Sequence, residues 1–122
     1  LARRDGVDVR FEQRDIFTLA LDAPRAFDGV WEYTCFCAID PARRDEYVRT
    51  VASVLRPGGW LLACFFPMRR RAAGPPFAVS EGEVRRLFTR GFRLERAYRP
   101  RSVRLRQGQE WMALFRRTGA PA

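Results

Sequence analysis

The sequence predicts an α/β protein built on one open, largely parallel sheet that ends in a strand running the other way. Three observations carry that prediction. The run WLLACFF at 60–66 is continuously apolar, as expected of a central parallel strand buried on both faces. Two amphipathic stretches with helix-start signals, Asp40-Pro41 and Ser80 with Glu83, alternate with strand-like segments, which is the order of a doubly wound sheet with helices on both faces. The last two apolar segments, 92–98 and 109–115, follow one another with no helix between them and so read as a hairpin.

In chain order, Val7, Val9 and Phe11 alternate with Asp8, Arg10 and Glu12, the period-two pattern of an edge strand with one wet face. A turn at Asp15-Ile16-Phe17 and a loop closed by Pro24 lead into a short strand at 27–31. Asp40 as N-cap and Pro41 at the first helical position open a helix expected to run to about Arg56. Val48, Val51, Ala52 and Leu55 form its inner stripe, and Pro57-Gly58-Gly59 ends it. After the central strand, 68–78 is a loop rich in Arg, Gly and Pro. Ser80 caps the second helix, Val79 and Val84 can staple across that cap, and Gly91 stops the helix. No repeat or second domain is visible.

The chain has 122 residues, enough for one domain with a core of moderate size. It opens at Leu1, directly before a strand-like segment, and is expected to be part of a longer domain. All 23 basic residues are Arg against 14 acids, a net charge of +9, with no Lys, Asn or His. Missing Lys and Asn together point to a GC-rich genome, so the Arg excess is discounted as a sign of nucleic-acid binding. The longest apolar run is stopped by Pro67 and Arg69-Arg70-Arg71, well short of the roughly 18 residues of a membrane helix. No secretory signal is present, so a cytoplasmic protein with no membrane partner is expected. Cys35, Cys37 and Cys64 give an odd count without zinc spacing, and no metal site is expected.

The most informative stretch is WEYTCFCAIDP at 31–41, which runs from a strand end into an acid-plus-proline helix start. Such junctions are where open α/β sheets hold ligands. Together with LRPGGWLLACFFP at 55–67 and GPPFAVSEGEV at 74–84, it resembles the C-terminal half of a class I S-adenosylmethionine-dependent methyltransferase, nearest to the thiopurine and thiol/halide branch. The resemblance spans about 7–115. It implies a partial Rossmann-like methyltransferase sheet with a C-terminal antiparallel strand, lacking the N-terminal half with its Gly-rich cofactor turn.

The resemblance also assigns residues. Asp15, with Ile16 and Phe17, would face and cover the adenine of S-adenosyl-L-methionine, while Glu32 and Tyr33 at the next strand end would lie by its methionine portion. Tyr33 stands where the thiopurine enzymes have Arg, and is the expected catalytic residue. Phe36, Pro76 and Phe77 would wall the acceptor. Read without the resemblance, Asp15 caps a turn, Phe17 fills core, Glu32 pairs with an Arg, and 74–77 is a surface loop with one anchoring Phe. With no His and no nucleophile paired to a base, the expected reaction is methyl transfer to a small soft nucleophile, a thiol, thiocyanate, halide or thiopurine-like molecule, which needs little acid–base help. Two alternatives stand beside it: a methyltransferase of the same fold acting on oxygen or nitrogen, and a basic nucleic-acid-binding domain using Arg69-Arg70-Arg71 with Arg99, Arg101, Arg104 and Arg106.

Overall fold

The computed structural model describes residues 6–119. A turn of 3-10 helix at Ile16–Thr18 leads into the short helix α1 (Leu19–Asp22) and strand β1 (Phe27–Tyr33). Helix α2 (Arg44–Val54), strand β2 (Leu55–Phe65), helix α3 (Glu81–Leu87) and strands β3 (Phe92–Tyr98) and β4 (Trp111–Arg117) follow. The sheet order is β1-β2-β4-β3, with β1 parallel to β2 and β4 antiparallel to both its neighbours.

The helix signals work through the backbone donors they satisfy. The Asp40 side chain accepts from Ala42 N, but Pro41–Arg43 is a 3-10 turn and the α-helix proper begins at Arg44. Ser80 accepts from Glu83 N, and Val79 and Val84 are both buried beside that cap. Two expectations need correction. α2 ends at Val54 rather than near Arg56, because Leu55 already pairs with Phe27 of β1. Gly58, at φ +80, then turns the chain toward Trp60 in a left-handed conformation that suits glycine. The expected edge strand at 7–11 is not a strand: Val7, Val9 and Phe11 are 52%, 47% and 79% exposed and pair with nothing in the four-stranded sheet. Alternation alone makes no strand without a neighbour to complete its ladder.

Leu61, Ala63 and Phe65 of β2, with Trp111, Ala113 and Phe115 of β4, point to one face, where Tyr47, Val48 and Val51 of α2 and Val84 of α3 cover them together with Phe88. Phe88 stacks on Phe115 at 4.7 Å between ring centroids and meets Phe65 edge-on. The opposite face carries Trp60, 38% exposed, so among the described residues the helical cover falls on one face. All three parallel strands end at the same rim, where Tyr33, Cys64, Met112 and Tyr98 form a row across the sheet.

Candidate functional site at the carboxyl rim of the sheet

Glu32 occupies the last inward position of β1 and is 3% exposed. Its carboxylate accepts from Phe36 N at 3.1 Å, Cys35 N at 3.2 Å and the Tyr47 hydroxyl at 2.5 Å. Burial pushes its pKa above the usual 4.5, against the downward pull of those three donors. Both oxygens are thus committed to shaping the turn after β1, and Glu32 anchors the site rather than reaching a ligand through a free oxygen. Thr34 follows at φ +65, a strained value for a β-branched residue, and its hydroxyl bonds the Tyr33 carbonyl at 2.6 Å.

Tyr33 points to the other face. Its hydroxyl donates to the Glu110 carboxylate and accepts from Arg106 Nη1 at 2.5 Å. The bond to Glu110 and burial together hold the phenol protonated to higher pH than an ordinary tyrosine, with Arg106 opposing. Burial would raise the Glu110 pKa, but hydrogen bonds from Ser102, Tyr33 and Cys64 and the Arg106 charge bring it below the usual value. Glu110 is therefore an anion that orients Tyr33. Arg106 lies 4.3 Å above the Phe66 ring and 5.5 Å from the Tyr33 ring.

Two clefts open beside these residues. One, of about 310 Å³, runs along β1 from Phe27 to Tyr33 beside α2, is lined also by Ile16, Cys35 and Tyr47, among others, and is mostly apolar. The second, of about 270 Å³, is lined by Thr34, Cys37, Ala38, Phe66, Pro75, Pro76 and Arg106. Ile16, Glu32 and Tyr33 are thereby brought to one cleft and Pro76 to the other. Asp15 lies outside both linings: its carboxylate accepts from Phe17 N at 2.9 Å and caps the 3-10 turn. Phe17 sits under the Arg43 guanidinium at 3.7 Å from its ring centroid. Phe77 lines neither cleft, and its N–H donates to the Cys37 carbonyl at 2.7 Å. Phe36 is 1% exposed and packs edge-on against Phe65 and Tyr47, in the core rather than on an acceptor wall.

Sequence reasoning passed over Glu110 and Tyr47, and placed Arg106 in a basic patch rather than at the rim. Only two local signs pointed to them: a lone acid directly before the last strand, and a tyrosine on the apolar stripe of α2. The thiols are not poised to react, since burial first and nearby Glu32 next push Cys35 up to about 11, and burial and Glu110 push Cys64 up to about 12. Among the described residues, no cluster of Cys, Asp or Glu could hold a metal ion.

The fold of the chain is that of S-adenosylmethionine-dependent methyltransferases. It superposes on such a protein from Methanosarcina mazei with a TM-score of 0.75 at 16% identity, over 92% of this chain and 68% of the other. It also superposes on the 1,6-didemethyltoxoflavin-N1-methyltransferase of Burkholderia thailandensis, solved with S-adenosylhomocysteine bound, with a TM-score of 0.73 at 23% identity, over 96% of this chain and 54% of the other. In sequence, 77 residues are 35% identical to a probable thiol methyltransferase 2 of Arabidopsis thaliana, covering 63% of this chain and 33% of that protein. Another 40% identity over 72 residues links it to the thiopurine S-methyltransferase of Bos taurus, over 55% of this chain and 29% of that protein. The chain thus spans about a third of these relatives' length. The thiopurine S-methyltransferase family model matches residues 3–117, which include both walls of the rim, its Tyr33 and its Arg106, and the chain belongs to that family.

Proposed function

We propose that the protein carrying this chain transfers a methyl group from S-adenosyl-L-methionine to a small anionic soft nucleophile, a thiolate, thiocyanate or halide. The observation that carries the reading is Arg106, held by Tyr33 and set over Phe66 in the 270 Å³ cleft, so that one fixed cation faces a mainly apolar pocket. Such a pocket suits a polarisable anion, because the charge is attracted while the walls exclude the water that would hydrate it.

The 310 Å³ cleft is at the small end of ligand-pocket sizes, and Ile16 and Trp31 give it apolar walls suited to part of a cofactor. We assign Ile16 and Tyr33 to that contact, Asp15 and Phe17 to the turn presenting Ile16, and Glu32 to fixing the strand end. When bound, S-adenosyl-L-methionine supplies the methyl group and its own sulfonium leaving group. The chain's residues then have to align and exclude water. Tyr33 lines the first cleft, and its hydroxyl bonds the Arg106 that lines the second. No proton has to leave an acceptor that is already anionic, which agrees with a phenol kept protonated and with a chain that has no His.

The test compares bisulfide, thiocyanate, iodide, an aryl thiol and a catechol as acceptors for the full-length protein, with wild-type Arg106 and with Arg106→Leu. Methylation of the anions, with KM raised about tenfold or more by Arg106→Leu, supports the reading, since a charge-assisted contact contributes about 1.5–3 kcal/mol. Methylation of the catechol alone would sink it.

A further inference from the structure

We propose that Arg44 is a positioning residue which sets the width of the Arg106 cleft by holding the 74–79 segment in place; the acceptor part of this inference rests on the function proposed above. Arg44 opens α2 and is only 2% exposed, the most thoroughly hidden charge in the described structure. Its Nη1 donates to the Ala78 carbonyl at 3.0 Å and to Glu83 Oε1 at 2.7 Å, and its Nη2 donates to the Phe77 carbonyl at 3.3 Å. The guanidinium lies 4.6 Å from the Phe36 ring centroid. The segment it grips contains no helix or strand, and two backbone bonds hold it from other sides: Phe77 N to Cys37 O at 2.7 Å and Val79 N to Pro67 O at 3.0 Å.

Stability alone does not account for an arginine here. Hiding a guanidinium costs several kcal/mol, and a buried ion pair is often matched or bettered by apolar residues of similar volume. Arg44 also leaves its Nε buried without a hydrogen-bond partner. What an apolar side chain could not supply is a rigid fork that reaches two successive carbonyls and a carboxylate at once. Those carbonyls belong to the residues just after Pro75 and Pro76, one wall of the cleft, while Phe36 beneath the guanidinium adjoins Cys37 on the facing wall. Arg44 therefore joins both walls from behind without touching whatever lies between them. A wall fixed in this way discriminates by size: a bulky acceptor must meet Pro76 where Arg44 leaves it, whereas a small ion need not.

The test uses the full-length protein, with Arg44→Met keeping the apolar stem and removing every donor. Hydrogen exchange at the Phe77 and Val79 amides should speed about tenfold or more, roughly what losing one such hydrogen bond allows. KM for an aryl thiol should rise by a similar factor, while KM for thiocyanate, KM for S-adenosylmethionine and kcat stay within about twofold, too small a change for a lost hydrogen bond. Should that variant fail to fold, Arg44→Lys keeps a cation for Glu83 but cannot span both carbonyls, and should show the same split. Unchanged exchange at both amides, or an equal rise in KM for large and small acceptors, overturns the proposal. The exchange measurement needs no turnover. A null result for Arg106→Leu beside faster exchange in the Arg44 variants would therefore refute the acceptor reading alone.

Discussion

Replacing Tyr47 by Phe tests the buried network that builds the rim. The substitution removes one hydroxyl, which donates to Glu32 Oε1 at 2.5 Å, between side chains whose residues are 2% and 3% exposed. A hydrogen bond to a charged group is worth about 1.5–3 kcal/mol, and neither partner here can turn to water instead, so a loss of about 2 kcal/mol is expected at pH 8. Scaled to a chain of this length, with an unfolding entropy of about 2.1 cal/mol/K per residue, that is a fall in Tm of about 8 °C. The loss should depend on pH in a defined sense. Burial raises the folded-state pKa of Glu32 above 4.5, so the native state holds a proton that the unfolded chain releases. Its contribution is therefore most favourable below the unfolded value and is lost as pH rises through the folded one. Tyr47 limits that loss by stabilising the charged form, so Tyr47→Phe should cost only about 1 kcal/mol at pH 4, where the bond is between neutral groups. Thermal melts at pH 4 and pH 8, repeated on a Glu32→Gln background, isolate the pair. Equal losses at the two pH values, or a loss under about 0.5 kcal/mol at pH 8, would refute the argument.

Other outcomes follow from the same geometry. Asp15→Ser keeps a cap for Phe17 N on a shorter side chain, so if Asp15 only presents Ile16, Ser should preserve cofactor affinity and Ala should weaken it by roughly 1 kcal/mol; equal weakening by both would assign the carboxylate a direct contact. With Cys35 near 11 and Cys64 near 12, about one thiol in a thousand or fewer is ionised at pH 8, and iodoacetamide should label the native protein slowly and the denatured protein fully. Rapid native labelling would contradict the burial of these groups. A Cβ at Gly29 would lie 2.0 Å from the Trp60 ring on the neighbouring strand, so Gly29→Ala should cost about 1–3 kcal/mol. An unchanged Tm would mean that the ring swings out into solvent.

What was legible in the sequence is what depends on near neighbours. Ser80 and Asp40 cap where their spacing predicts, because an N-cap satisfies donors two or three residues away. The apolar run at 60–66 lies in β2 as far as Phe65, because burial on the sheet needs no partner's identity to be visible. The rim was only half legible. Tyr33 and Pro76 were reached through the family resemblance, but Tyr33 meets Arg106 across 73 positions and Glu110 across 77, and no local pattern marks such a meeting. Arg44 was missed for a different reason: among 23 basic residues a buried one looks like all the exposed ones until its carbonyl partners are placed. The alternation at 7–11 misled because it describes a face, and a strand also needs an edge to join.

The reversal of β4 has a consequence for how such a protein can change. Because β4 runs against β2 and β3, the chain leaves β3 and enters β4 at the same rim, so the 99–110 connection hangs beside the ends of β1 and β2 instead of crossing beneath the sheet. Arg106 rides on that connection, whose Val103 and Leu105 are 69% and 88% exposed, while every second residue of β4 is locked in the core. Insertions, deletions and substitutions between 99 and 105 can therefore reshape the mouth of the cleft at little cost to folding. Change at the mouth of the cleft and change that affects stability fall on separate parts of a single hairpin.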